Sequence, residues 1–282
     1  MRWFWTRFNR KDVSIMGKIY EKIQDERTNR ALDEVLTMLE TVQGTPGAAE
    51  ETRRITEHFC DLLAKNTDLP SDEPGGWNFS REKAAPVFAE GNGLLLRPCH
   101  ADDARFYNAV HRQWSPFGRN YPPEETMLPA LRQELANDNA FFCVVQRHAD
   151  GAEMGYVALK DTTRAVWEVA MEFDRQFCYQ GYGGRALQLF VRQVGIVTGR
   201  TQFQALVEVD NAACQHCLRK IGAKFVGLYN YAFEDEAAAE EFETENLALI
   251  GDQLYTLAAQ LGVEPRKLLS HVLEYRLTVG NP

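Results

Sequence analysis

The chain has no apolar run approaching the ~20 residues that a bilayer-spanning helix needs, so no transmembrane segment is expected. It has no internal repeats and no low-complexity tracts, which sets aside solenoids and compositionally disordered scaffolds. Positive charge is short. With 31 Lys and Arg against 40 Asp and Glu, the formal net charge is -9, and the global basic field of a nucleic-acid binder is missing. No nucleic-acid partner is therefore expected. Cysteine is sparse: Cys60, Cys99, Cys143, Cys178, Cys214 and Cys217 form no small-domain disulfide framework. Reduced thiols in a cytoplasmic protein are the expectation. Cys214-Gln-His-Cys217 lacks a second Cys pair or a His partner motif, so it reads as two half-buried helix cysteines and no metal is expected.

The opening residues Met1 to Lys11 are basic and aromatic without the continuous apolar core of a secretory signal. They read as an extension, or as sequence upstream of a true start at Met16, although contact with a membrane surface fits their composition too. What is present is ordinary globular material. At 45% hydrophobic and 25% charged, 282 residues suffice for roughly two domains.

Residues 1–90 read as a helical N-terminal region and linker. Apolar residues recur at helical spacing over 16–42 (Ile19, Ile23, Ala31, Val35, Met38, Leu39) and 48–65 (Ile55, Phe59, Leu62, Leu63), a hairpin broken at Gln43 to Gly47. Residues 66–92, with Pro70, Pro74, Gly75 and Gly76, read as a linker. Residues 91–282 form the second unit, an α/β (α+β) domain with a mixed sheet. Strands are expected over 93–97, 141–146, 154–159, 165–173, 203–209, 225–232 and 271–279, and helices over 101–114, 122–135, 186–197 and 212–221. In the strand 165–173, Trp167, Val169, Met171 and Phe173 alternate with Glu168, Ala170 and Glu172, so two carboxylates share one face.

The centre of this unit is Cys178-Tyr179-Gln180-Gly181-Tyr182-Gly183-Gly184-Arg185, between that strand and the next helix. The first amides of a helix lack intrahelical partners, and glycines let a ligand approach them, so the stretch reads as a seat for phosphate or as a bare tight turn. No Gly-Lys-Ser/Thr follows, and the first glycine and later acid of a dinucleotide fingerprint are missing. A second strand-to-helix unit follows with Asp210-Asn211 at its junction and Gly222 at its end.

Gly181 to Gly184 followed by the run from Val209 to Phe225 resembles the GNAT acetyltransferase superfamily, nearest its ribosomal-protein N-terminal acetyltransferase branch. The branch's Asn-x-x-Ser and Lys-x-Gly-Phe elements correspond to Asn211–Cys214 and Lys220–Ala223. The resemblance covers roughly 92–232 and implies a GNAT-type acyltransferase fold that binds acetyl-CoA and transfers acetyl to a primary amine without a covalent acyl-enzyme. It implies cofactor contacts from Phe173, Arg175, Cys178, Tyr179, Gln180, Gly181, Tyr182, Gly183, Gly184, Arg185 and Asn211, with the pantetheine arm along residues 170–175. Glu168 or Glu172 would be the base, with Glu208 and Glu234 in reserve, unless water serves. Leu218 stands where many members have an acidic tyrosine, and Cys214 stands where the branch has serine, which makes Cys214 the proton donor. A non-catalytic coenzyme-binding or interaction module is the alternative.

Residues 234–269 read as a helical insertion before the last strand, a departure from the family's short loop. Its acidic first half and its Leu247, Ile250, Leu254 and Leu261 suit either a wall of the amine pocket or packing on the N-terminal hairpin or on a second copy in a homodimer.

Overall fold

The computed structural model describes residues 77–115, 123–230, 232–233 and 235–279. The expected N-terminal hairpin, the loop after Ser115 and Glu234 fall outside them. Eight strands form one mixed sheet: β1 (Ala89–Gly91), β2 (Leu94–Pro98), β3 (Phe141–Arg147), β4 (Glu153–Leu159), β5 (Trp167–Phe173), β6 (Gln202–Val207), β7 (Lys224–Asn230) and β8 (His271–Thr278). Their spatial order is β1-β2-β3-β4-β5-β6-β8-β7. All neighbours are antiparallel except β5 and β6, which run parallel and pair only at Trp167↔Phe203 and Glu168↔Gln204.

Seven helices are described: α1 (Ser80–Lys83), α2 (Ala104–Arg112), α3 (Glu124–Ala136), α4 (Tyr182–Thr198), α5 (Ala212–Lys220), α6 (Glu236–Glu245) and α7 (Asp252–Leu261). The period-2 pattern of the strands divides their side chains between two cores. Trp167, Val169, Met171 and Phe173 join Ala186, Leu187, Phe190, Val191 and Val194 of α4 in the larger one. Phe142, Val144, Tyr156 and Ala158 point the other way, onto Tyr107 and Val110 of α2 and Leu128 and Leu131 of α3. Each such buried side chain contributes ~1.5–3 kcal/mol by transfer from water. The sheet with helices on both faces is the GNAT fold.

Two boundaries differ from the sequence reading. The stretch read as linker up to residue 92 packs from Phe79 onward: Phe79 is buried and stacks on Phe141 at 4.5 Å between ring centroids, Phe88 is buried, and β1 adds an edge strand to β2. Isolated aromatics beside Pro and Gly carry no periodic signal, so only the long-range ring contacts reveal this order. The helix expected from residue 186 begins at Tyr182, which places Gly183 and Gly184 inside its first turn.

The insertion is not one continuous helix. Gly251 and Gly262 bracket α7, Pro265 opens a 3-10 segment to Leu269, and Phe242, Leu254, Ala258, Leu268 and Leu269 join the larger core beside β8. A polar cluster ties the insertion to that strand: Ser270 Oγ donates to Glu243 Oε1 at 2.5 Å, and Nε2 of His271 lies 3.1 Å from Glu236 Oε1.

Candidate active site

β5 runs through the 3-10 turn Arg175–Phe177 into the glycine stretch, and α4 starts there. Gly181 is its N-cap with φ 79°, a left-handed conformation that a side chain would strain, and it offers no capping side chain of its own. The amides of Tyr182, Gly183 and Gly184 therefore carry the helix's unpaired donors and its positive dipole end. A Cβ on Gly183 would stand 3.4 Å from Met171 Sδ, and one on Gly184 would stand 3.1 Å from Ile221 Cγ2, so both glycines also permit close helix-to-sheet packing. Beside this turn lies a cavity of about 850 Å³, within the ~300–1,000 Å³ of small-molecule sites. Its walls include Trp114, Phe173, Cys178, Gln180, Asn211 and Lys220.

A second, narrower cavity of about 40 Å³ sits where β5 and β6 diverge. Its lining takes residues of both faces of the sheet, Val169 and Met171 with Glu168 and Ala170 from β5, and Ala205 and Val207 with Leu206 and Glu208 from β6, so it is a passage through the sheet. Met171 and Cys214 line both cavities, which therefore lie side by side. The amide of Lys160 donates to the Glu168 carbonyl and that of Asp174 to the Met154 carbonyl, which fixes the phase of the β4–β5 ladder. By antiparallel alternation the backbone groups of Val169, Met171 and Phe173 point to the β6 side. The Glu168↔Gln204 bridge of the parallel ladder uses the Val169 amide, and beyond it no β6 residue pairs with β5, so the N–H of Met171 faces the passage and that of Phe173 faces the larger cavity.

The residues singled out from sequence separate into groups. Cys178, Tyr179, Gln180, Gly181, Gly183, Gly184, Arg185, Asn211, Phe173 and Cys214 line the larger cavity. Arg175 and Tyr182 do not: the Arg175 guanidinium donates to the Gln113 carbonyl and lies 5.0 Å over the Trp114 ring, and the Tyr182 ring is covered by Arg185 at 4.7 Å. Asn211 caps α5, its Oδ1 accepting from the Cys214 amide at 3.0 Å.

The two carboxylates of β5 have different fates. Glu168 lines the passage. Glu172 lines neither cavity. It is 2% exposed, and its two oxygens lie 3.1 and 3.0 Å from Nδ1 of His111, itself fully buried on α2. As a base reaching an incoming amine, Glu172 is thus a correction: packing of α2 over this end of the strand encloses it. The sequence could not separate the pair, since strand parity places both on one face.

Cys214 is half-buried, and burial together with neighbouring Cys217 pushes its thiol up to about 12, so it is protonated at neutral pH. Glu208 is buried at 3% exposure, its Oε2 has no hydrogen-bond partner among the described residues, and burial followed by the charge of Asp210 holds its carboxyl well above the usual range. Trp114 was not anticipated as a wall. Its Nε1 donates to the Phe173 carbonyl at 2.8 Å, a link across the fold that no local pattern signals. Among the described residues no group of three His, Cys, Asp or Glu could hold a metal ion, and none of residues 236–269 lines either cavity.

Residues 93–224 match the family model described as an acetyltransferase (GNAT) domain. No curated protein matches the chain. Among solved structures it is similar to the Salmonella typhimurium acetyl transferase that modifies the N-terminal serine of 50S ribosomal subunit protein L7/L12, at 13% identity over 67% of this chain and 97% of that one, TM-score 0.47. It is similar as well to dodecameric spermidine N-acetyltransferase from Vibrio cholerae, at 12% identity over 67% and 95%, TM-score 0.46. A third is RimL, a ribosomal L7/L12 alpha-N-protein acetyltransferase in complex with coenzyme A, at 12% identity over 70% and 99%, TM-score 0.47. Likenesses of this size carry no argument about what the chain acts on.

Proposed function

We propose that this chain, whose residues 93–224 match the acetyltransferase (GNAT) domain model, moves the acetyl group of acetyl-CoA to a primary amine by direct attack in a ternary complex. The observation that carries this reading is the passage where β5 and β6 diverge, which shares Met171 and Cys214 with the cavity beside the glycine turn. A donor and an acceptor can meet there from opposite faces.

The amides of Tyr182, Gly183 and Gly184 hold the pyrophosphate of acetyl-CoA, with Lys220 as a cation at the cavity wall. The pantetheine arm runs along the edge of β5 beyond its last β6 pair, pairing with Met171 and Phe173 as an added strand would. An amide of that edge donates to the thioester oxygen as negative charge develops on it, and a fixed donor of this kind contributes about 10²–10³ in rate. The departing thiolate takes its proton from Cys214 or from solvent. Burial pushes the Cys214 thiol up to about 12, against about 8.5 for an ordinary thiol, so it is the weaker acid of the two thiols and is itself reprotonated by solvent. Glu168 and Glu208 are the carboxylates that line the passage. The acceptor is a protein N-terminus or a small-molecule amine, and the reaction takes place in the cytoplasm.

Release of free coenzyme A thiol from acetyl-CoA tests this, with a Ser-initiated peptide, a Lys-containing peptide, spermidine and an aminoglycoside offered in turn. Amine-dependent release with at least one of them is expected. Binding of acetyl-CoA without release to any amine would favour a non-catalytic coenzyme-binding module.

A further inference from the structure

The passage holds one carboxylate whose surroundings have no structural use for its charge. We propose that Glu208 takes the proton from the acceptor amine as it attacks, an assignment that rests on the acetyltransferase reading above. Glu172 is committed to His111, whereas Glu208 follows the last residue of β6, on the side of the passage opposite the free amides of β5. Its carboxyl is 3% exposed and Oε2 has no hydrogen-bond partner among the described residues, although a buried carboxyl oxygen ordinarily finds one.

The backbone at this point is pinned. The Glu208 carbonyl accepts from the Asn211 amide at 3.0 Å and from Gln215 Nε2 at 3.3 Å, and Gln215 Nε2 donates to the Val209 carbonyl at 2.9 Å. Gln215 is itself buried, so the segment that carries Glu208 is held at the passage. Other titratable groups around it are Lys160 and Glu168 on the β4–β5 side, Cys214 on α5 and the adjacent Asp210. Burial, and then the charge of Asp210, raise the Glu208 carboxyl above the usual carboxylate range, so it acts as a base only where the pH has removed its proton.

The step balances without a further reactant. The acceptor ammonium loses one proton to solvent, and the free amine attacks the thioester carbon. As the C–N bond forms, the second proton passes to the Glu208 carboxylate. The C–S bond breaks, its electron pair stays on sulfur, and the thiolate takes a proton from Cys214 or solvent. Glu208 then returns its proton to solvent.

The test compares wild type, Glu208→Gln and Glu168→Gln by coenzyme A release from pH 5 to 9, with spermidine and a Ser-initiated peptide as acceptors. The slow hydrolysis of acetyl-CoA, in which water replaces the amine, is followed in parallel. Glu208→Gln should lower the neutral-pH rate about 10²-fold or more and abolish the rising limb of the pH profile, while the acetyl-CoA-induced rise in Tm persists. Glu168→Gln should keep that limb. A second readout needs no turnover. Because the folded carboxyl holds its proton to higher pH than the unfolded one, its contribution to stability is complete below pH about 4.5 and is lost as pH rises through the folded value. Glu208→Gln should therefore melt progressively higher than wild type as pH is raised. A limb that survives in Glu208→Gln with activity within about twofold would overturn the assignment, as would a Tm difference that does not change with pH. Failure of acetyl-CoA to shift the wild-type Tm would overturn the acetyltransferase reading with it.

Discussion

Gly183→Glu should abolish acetyl-CoA binding without unfolding the chain, and the structure supplies the size of the effect. At a coenzyme concentration of 100 Kd, ligand linkage stabilises the folded state by about 2.7 kcal/mol. At about 2–4 °C per kcal/mol for a domain of this size, wild type should melt ~5–10 °C higher with acetyl-CoA. A Cβ at residue 183 meets Met171 Sδ at 3.4 Å and the Phe173 ring at 3.7 Å, ordinary contacts, so Gly183→Ala is expected to fold and serves as the steric control. The glutamate adds a negative charge at the turn where the amides of α4 are unpaired. One unit charge about 4 Å from a phosphate, at an effective dielectric near 20, costs about 4 kcal/mol, or roughly three powers of ten in affinity. The concentration that was 100 Kd becomes about 0.1 Kd, and the shift should fall below about 1 °C. Differential scanning fluorimetry with and without acetyl-CoA measures all three proteins. If Gly183→Glu keeps the full wild-type shift, the phosphates do not sit on this turn and the reading of the larger cavity fails.

Glu172→Ala should cost about 1–3 kcal/mol of stability by removing the carboxylate that Nδ1 of buried His111 meets at 3.0 Å; urea unfolding measures this, and a loss under about 0.5 kcal/mol would show that the pair is not structural. Cys214→Ala should lower turnover while Cys214→Ser retains most of it, and because burial raises the thiol to about 12, iodoacetamide should label Cys214 in the native protein more slowly than a free thiol at pH 8. Rapid labelling there would show that burial does not hold the thiol protonated. Phe242→Ala should cost about 3–5 kcal/mol because the insertion is built into the larger core. The acetyl-CoA Kd of the variant should stay within about twofold of wild type, since no residue of 236–269 lines either cavity, and a large change in Kd would return the insertion to the site.

Local sequence determined much of this molecule. The alternation Trp167, Val169, Met171, Phe173 specifies a strand with one apolar face, and the recurrence of Ala186, Leu187, Phe190, Val191 and Val194 specifies a helix laid on that face, because side-chain direction follows backbone period. Glycines between the two elements leave helix amides open, and Asn211 announces the cap of α5, both short-range properties of a few neighbouring residues. Tertiary structure decided what each reactive group could do. Strand parity gives Glu168 and Glu172 the same direction, but α2, distant in sequence, carries His111 onto only one of them. The early divergence of β5 from β6 is likewise set by strand pairing between distant segments, since β5 meets β6 only at Trp167↔Phe203 and Glu168↔Gln204 while β6 pairs along its length with β8. That divergence leaves Met171 and Phe173 without a β6 partner, and no single segment encodes it.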